Sequence, residues 1–254
     1  LRESRMPKIF LILALATCTI FGWMFYQYSV QQDELSQIKD YQTVLYEKAE
    51  LIYQQAQDWS KPIDINVSDN HLQGDYKVMA DFVLSDMIQN AEARNQYLRE
   101  LKALHWDQFL NIDRLEKDRK QNFIETEQML KQVHLLTAQY QQQMQQREED
   151  TLDRAKHLSI KANLSHQLAD SLRESRDSDQ THALFALELQ ILSKADALFE
   201  ILKNNKWQKN EQTFMFYEDQ PLKQFNALYA EIVQLNAEIE KIKKQNRKAI
   251  EQRL

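Results

Sequence analysis

The sequence predicts an all-α protein built from long helices, with at most one short strand, behind an N-terminal transmembrane helix. Only two of its 254 residues are glycine and three are proline, whereas average glycine usage of about 7% would give roughly 18. Long helices need neither residue in their interior. The same scarcity excludes glycine-rich phosphate loops and disfavours turn-rich sandwiches, barrels and propellers.

The N-terminal segment is the most apolar part of the chain. Residues 9–26 contain no charged side chain, and a helix of this length spans roughly 27 Å, close to the thickness of a bilayer core. Arg2, Arg5 and Lys8 precede it, and basic residues favour the cytoplasmic side. We expect a cytoplasmic segment at 1–8, an anchor at 9–30 and the rest outside the cytoplasm. A signal peptide cleaved after Ala14-Leu15-Ala16 is the alternative.

A membrane-proximal helix is predicted over residues 31–60, followed by a turn or strand linker over 61–75. The apolar seam of the helix recurs every seven residues, at Ile38, Leu45, Ile52 and Trp59, with Ala49 and Ala56 in the second seam position. Pro62 ends the helix, because the residue before a proline avoids helical backbone. In the linker, Ile63, Ile65 and Val67 alternate with polar residues, which predicts a short strand. Asp75 is the expected N-cap of the next helix.

The remaining chain is predicted to be helical in two regions, 76–176 and 177–254. Residues 76–176 contain neither glycine nor proline, so we expect several helices joined by short polar turns, with residues 141–151 as either a connector or an exposed rod. A break is predicted at 176–179. Residues 183–202 are apolar on two faces, which indicates a helix buried on both. Residues 204–221 look irregular, and we expect Phe214, Met215, Phe216 and Tyr217 to pack inward.

The last helix shows a heptad pattern. Its apolar positions are Phe225, Leu228, Ile232, Leu235, Ile239 and Ile242. Spacings of three and four residues are typical of a coiled-coil seam, but three heptads are the lower limit for one. Packing within the chain, against a client protein, or in a homodimer all remain open.

No pattern of catalytic or metal-binding residues is recognisable. The six histidines form no H-E-x-x-H sequence, and the single cysteine, Cys18, lies in an apolar run. The net charge of −6 argues against a nucleic-acid partner. We therefore expect a protein that is not an enzyme and that needs no metal or cofactor.

The segment 69–87 carries a more specific signal. It resembles the signature region of the lipase-specific foldases, membrane-anchored chaperones of secreted lipases, in which a turn leads into a helix reading R-x-x-F-D-Y-F-L-S-A-L. Asn70-His71-Leu72 stands at the turn, and Ala80 and Val83 replace the two phenylalanines. The remaining matches are Lys77 at the arginine, Asp81 at the aspartate, Phe82 at the tyrosine, and Leu84 and Ser85 as identities.

This resemblance implies a function. It implies an extended multi-helix clamp, anchored in the bacterial inner membrane by a single span with its bulk in the periplasm, that helps a secreted hydrolase to fold. A lipase or a metalloprotease would both suit as client. The partner-binding residues it implies are Asn70, Leu72, Lys77, Asp81, Phe82, Leu84 and Ser85. Lys77 and Asp81, one helical turn apart, are expected to pair. An envelope coiled-coil scaffold is the main alternative, and a periplasmic helical sensor domain is another.

Overall fold

The structure, a computed structural model, describes residues 32–177 and 180–251. The helices in these residues are α1 Gln32–Ala56, α2 Gly74–Ala103, α3 Ile112–Arg119, α4 Ile124–Lys156, α5 Ala162–Asp177, α6 Gln180–Asn204 and α7 Asp219–Glu251. A turn of 3-10 helix, Trp106–Gln108, lies between α2 and α3. The all-α prediction is confirmed, and α2, α4 and α7 reach 30, 33 and 33 residues.

Helix boundaries follow the sequence in most places. Segment 76–176 is divided into several helices, as predicted, and residues 141–151 lie inside α4, so they form a helical rod rather than a connector. The turn from α3 to α4 is held by Asp118, whose carboxylate accepts the backbone N–H groups of Glu125 at 3.0 Å and Thr126 at 2.8 Å. A break was predicted at 176–179; α5 continues through Asp177, and residues 178 and 179 lie outside the described ranges.

Two predicted boundaries were wrong. α1 ends at Ala56 rather than Ser60, and the side chain and backbone of Asp58 organise a turn ahead of Pro62 by accepting from Ser60 and Lys61. Asp75 is not an N-cap, because α2 already begins at Gly74. Its carboxylate instead accepts the backbone N–H of Lys161 at 3.2 Å.

The chain divides into two compact units, each assembled from segments that are distant in sequence. Among the described residues, the first unit takes in segments 32–96, 141–177 and 243–251 together with Gln180, and the second takes in segments 97–140 and 181–242. Helices α2, α4 and α7 therefore contribute residues to both units.

The core of the first unit is formed by α1, α2, α5, the end of α4 and the linker. The predicted seam of α1 is buried, at Ile38, Leu45, Ala49, Ile52 and Ala56. Trp59, predicted to continue it, lies beyond the helix and is half-buried. Ile63, Ile65 and Val67 pack on this core from an extended segment, so the alternation gave the correct side-chain directions. Strand pairing is not found there among the described residues.

Strand pairing occurs in the second unit instead. Strands β1 (Trp207–Asn210) and β2 (Thr213–Phe216) form an antiparallel hairpin in which Trp207 lies opposite Phe216. Trp207 is fully buried and donates its indole N–H to the carbonyl of Leu202 at 2.8 Å. The expectation that Met215 and Tyr217 pack inward was wrong, since both are exposed. Alternate residues of a strand point to opposite faces, and Phe214 and Phe216 occupy the inner one.

The heptad of α7 is used, at least in part, within the chain. Phe225 is buried in the second core, and Leu228 and Ile232 pack against it. Phe225 also contacts Phe214 and Phe216, with ring centroids 5.2 and 5.5 Å apart. Phe225 therefore belongs to the core of the second unit, whereas Leu228 and Ile232 keep part of their surface exposed.

None of the helices in the described ranges is long and apolar enough to cross a membrane. The predicted anchor at residues 9–30 lies outside those ranges.

Candidate partner-binding site

The linker residues 61–73, here called the strap, are fastened to α1 by side chains. The Gln55 amide accepts the N–H of Asp64 at 2.8 Å and donates to its carbonyl at 3.3 Å. Lys48 donates to the carbonyls of Asn66 at 2.7 Å and Ser68 at 3.1 Å. On the α2 side, the N–H of Ile63 donates to the Glu92 carboxylate at 3.3 Å. Side chains of α1 and α2 thus form the hydrogen bonds that a neighbouring strand would otherwise form with the strap backbone.

The turn at the end of the strap is organised by Asp69. Its Oδ1 accepts the backbone N–H of His71 at 2.9 Å and lies 2.7 Å from the ring Nδ1 of His71. The backbone N–H of His71 and then its ring lower the pKa of Asp69, with a further contribution from Lys48, whose Nζ lies 3.7 Å away. Asn70 is exposed at the tip, whereas Leu72 is buried and anchors the turn.

Helix α2 begins at Gly74, whose φ of 54° suits a residue without a side chain. The expected pair forms one turn later, with Lys77 Nζ 3.5 Å from Asp81 Oδ2. Lys77 also contacts the hydroxyl of Ser68, so the pair is tied to the strap. The other oxygen of Asp81, Oδ1, is buried and has no hydrogen-bond partner in the described part of the chain. An unpaired buried acceptor costs free energy, which distinguishes Asp81 from an ordinary surface acid.

The remaining motif residues divide between the core and the surface. Leu84 is fully buried, together with Ala80 and Val83. The resemblance assigned Leu72 and Leu84 to partner contact, but both lie in the core. Leu84 lies on the buried face of α2, and Leu72 reaches the core from the strap, ahead of the helix. Phe82 and Ser85 are half-buried on another face of α2. The motif residues that keep exposed surface are Asn70, Lys77, Asp81, Phe82 and Ser85.

A polar layer behind Phe82 was missed by sequence reasoning. Asp86 accepts from the hydroxyl of Thr151 at 2.5 Å and from the amide of Asn90 at 3.0 Å. Burial raises the pKa of Asp86, and the hydrogen bond from Thr151 and the charge of Arg154 oppose that rise. Asp86 and Thr151 are 65 residues apart in sequence, so no local pattern links them.

The layer reaches the surface at Arg154. Its Nη2 donates to Thr151 Oγ1 at 3.2 Å and lies 3.7 Å from Asp86 Oδ1. Its guanidinium carbon lies 5.6 Å from the centroid of the Phe82 ring, within cation–π range. The site is thus an aromatic ring with an ordered cation beside it, a surface suited to binding.

Residues 32–177 and 180–251 contain no group of three or more His, Cys, Asp or Glu side chains that could bind a metal ion. Comparisons with protein-family models, with curated proteins and with solved structures find no match for this chain.

Proposed function

We propose that this protein is a foldase: a periplasmic chaperone, anchored in the bacterial inner membrane, that binds one exported hydrolase and assists its folding and secretion. The client is a lipase or a metalloprotease. The protein acts by binding, without catalysis and without a cofactor. The proposal rests on the foldase-like motif and is supported by one observation above others: the pair of Lys77 and Asp81 beside Phe82 and Ser85, which are half-buried.

The proposed mechanism depends on the side chains that hold the strap against α1 and α2. Four side chains fasten the strap to its neighbours, so the groups that meet the client are held before it arrives. Such preorganisation reduces the entropy lost on binding. A client segment that is still partly unfolded would pack an apolar side chain on Phe82. It would place polar groups against Lys77, Asp81 and Ser85.

The proposed anchor keeps the chaperone in place while the folded client leaves. Basic residues precede the apolar run at 9–26, so the described residues would lie in the periplasm. A reporter that is active only outside the cytoplasm, fused after Leu254, should be active. Activity of a cytoplasm-only reporter at the same position would contradict both the topology and the chaperone.

The function is tested by co-expression with a candidate secreted lipase or metalloprotease. The full chain should raise secreted hydrolase activity, and Asp81→Ala should lower it about tenfold or more, the size expected for a charged group in a buried contact. Asp170→Ala is the matched control, because Asp170 forms a surface ion pair with Arg173 at 2.9 Å, also in the first unit. Such a pair contributes about 0–1 kcal/mol.

Two results would contradict the proposal. Full secreted hydrolase activity with Asp81→Ala would mean that the foldase-like motif is not needed for client activation. A large fall in the thermal midpoint of Asp81→Ala would mean that Asp81 stabilises the fold, so the loss of activity could not be assigned to client binding. A stable dimer of the full chain, with no hydrolase activated, would instead favour the envelope scaffold.

A further inference from the structure

Phe82 is the centre of a continuous strip on α2. Val78, Phe82, Ser85 and Gln89 recur at intervals of four, three and four residues, which places them on one helical face. They are half-buried or exposed, whereas Met79, Val83 and Leu84 are buried on the opposite side. The Lys77–Asp81 pair borders the strip toward the strap, and Arg154 of α4 borders it next to Phe82.

Arg154 is held by three contacts but uses few of its donors. Its side chain is 49% exposed, although Thr151, Asp86 and the Phe82 ring fix the position of the guanidinium. A guanidinium group has five N–H donors. Within the residues that the structure describes, only Nη2 donates, to Thr151, so the donors on Nε and Nη1 remain for another group.

We propose that Arg154 binds a carboxylate of the client next to an apolar side chain that packs on Phe82. This inference rests on the proposed function and names the chemistry that its site recognises. A guanidinium fork matches the two oxygens of a carboxylate. Its position beside an aromatic ring pairs charge recognition with apolar contact, the combination that dominates binding at interfaces. The carboxylate comes from an acidic side chain or from a chain terminus.

Neighbouring charges limit the partner to a single carboxylate at this position. Asp150 and Asp153 are exposed on α4, one turn before Arg154 and next to it in sequence. A run of acidic residues would meet both of them, and like charges repel. The site therefore selects one carboxylate flanked by apolar residues rather than an acidic segment.

The test measures binding of labelled peptides to the full chain in detergent micelles by fluorescence polarisation at low salt. One set carries Leu-Phe followed by Glu, Gln or Lys in a Gly-Ser host, and the other ends in Phe with a free carboxylate or an amide. Peptides with a carboxylate should bind at least fivefold more tightly than their uncharged counterparts. The set that shows this preference identifies the source of the carboxylate.

Arg154→Gln should abolish the preference, and Arg154→Lys should keep only part of it, since lysine retains charge but not the fork. Arg173→Gln is the matched control: Arg173 is 50% exposed, lies in the first unit and pairs with Asp170. Equal binding of charged and uncharged peptides, or equal effects of Arg154→Gln and Arg173→Gln, would overturn the inference.

Failure of this inference differs from failure of the proposed function. If Asp81→Ala abolishes client activation and Arg154→Gln does not, the proposed chaperone function is supported and the proposed carboxylate site is contradicted. If Arg154→Gln abolishes the preference for peptides with a carboxylate but the wild-type chain activates no hydrolase, the carboxylate site is supported and the chaperone function is contradicted.

Discussion

The strap and the β1–β2 hairpin are two short extended segments that bury alternate side chains on a helical core, but they satisfy their backbones differently. In the hairpin, backbone pairs with backbone from Trp207–Phe216 to Asn210–Thr213. In the strap, Gln55, Lys48 and Glu92 supply the partners. The hydrogen bonds of a ladder do not depend on the identity of its side chains, whereas each hydrogen bond that holds the strap can be removed by substituting one side chain.

The largest effect is expected in the hairpin, from loss of its buried tryptophan. Trp207→Ala removes a fully buried ring and the indole hydrogen bond to Leu202. Large-to-alanine changes of aromatic residues cost about 3–5 kcal/mol, which we expect in the free energy of unfolding from urea titration. Tyr217→Ala is the control, because Tyr217 is 67% exposed. Similar losses from both variants would mean that the hairpin is not part of the core.

The strap should respond to loss of a single lysine. Lys48→Met removes the donor to Asn66 and Ser68 and the partner of Asp69, while it keeps an apolar stem. We expect a loss of about 1–3 kcal/mol, because two carbonyls lose a charged partner, and faster amide exchange at Asp64 and His71. Lys39→Met, at an exposed position of the same helix, should change neither quantity. Unchanged exchange in Lys48→Met would show that apolar packing alone holds the strap.

The polar layer behind Phe82 should limit stability at neutral pH. Burial raises the pKa of Asp86, so the stability linked to its protonated form is present below the unfolded-state pKa and is lost as pH rises through the folded-state pKa. Asp86→Asn keeps an acceptor for Thr151 and carries no charge. We expect it to be more stable than wild type at pH 7, with the advantage vanishing toward pH 3. A destabilised variant at pH 7 would mean that the hydrogen bond from Asn90 and the charges of Arg154 and Arg147 together outweigh the burial of charge.

The contribution of Asp69 to stability should change with pH in the opposite direction to that of Asp86, and by a smaller amount. Its pKa is lowered by the hydrogen bonds from His71, so the stability it contributes is present above the unfolded-state pKa and is lost as pH falls through the folded-state pKa. Acidification below about pH 4 should accelerate exchange in the strap, and Asp69→Asn should remove most of that dependence. The expected change is at most about 1 kcal/mol. Hairpin amides, read in the same experiment, should not respond; a parallel response of both segments would assign the effect to global unfolding.

Several features followed from local periodicity and were predictable. The seam of α1, the two buried faces of α6 and the inward side of Ile63, Ile65 and Val67 agree with burial in the structure. The Lys77–Asp81 pair was also predictable, because residues four apart on a helix are neighbours. The hairpin was not recognised, because its turn lacks the expected Asn-Gly signal: Glu211 takes the left-handed backbone with φ of 52°. The buried Trp207 and Phe216 stabilise a turn that its own sequence does not favour.

By itself, the sequence determined that this chain is helical and where its helices present apolar faces. These properties depend on composition and on spacings of a few residues, which act before any long-range contact forms. Only the tertiary structure decided which residues of segment 69–87 are buried, since Leu72 and Leu84 lie in the core. It also decided that Asp86, Thr151 and Arg154 meet behind Phe82. Contacts between residues 65 or more positions apart depend on how α2 and α4 pack, and no local pattern in the sequence encodes that packing.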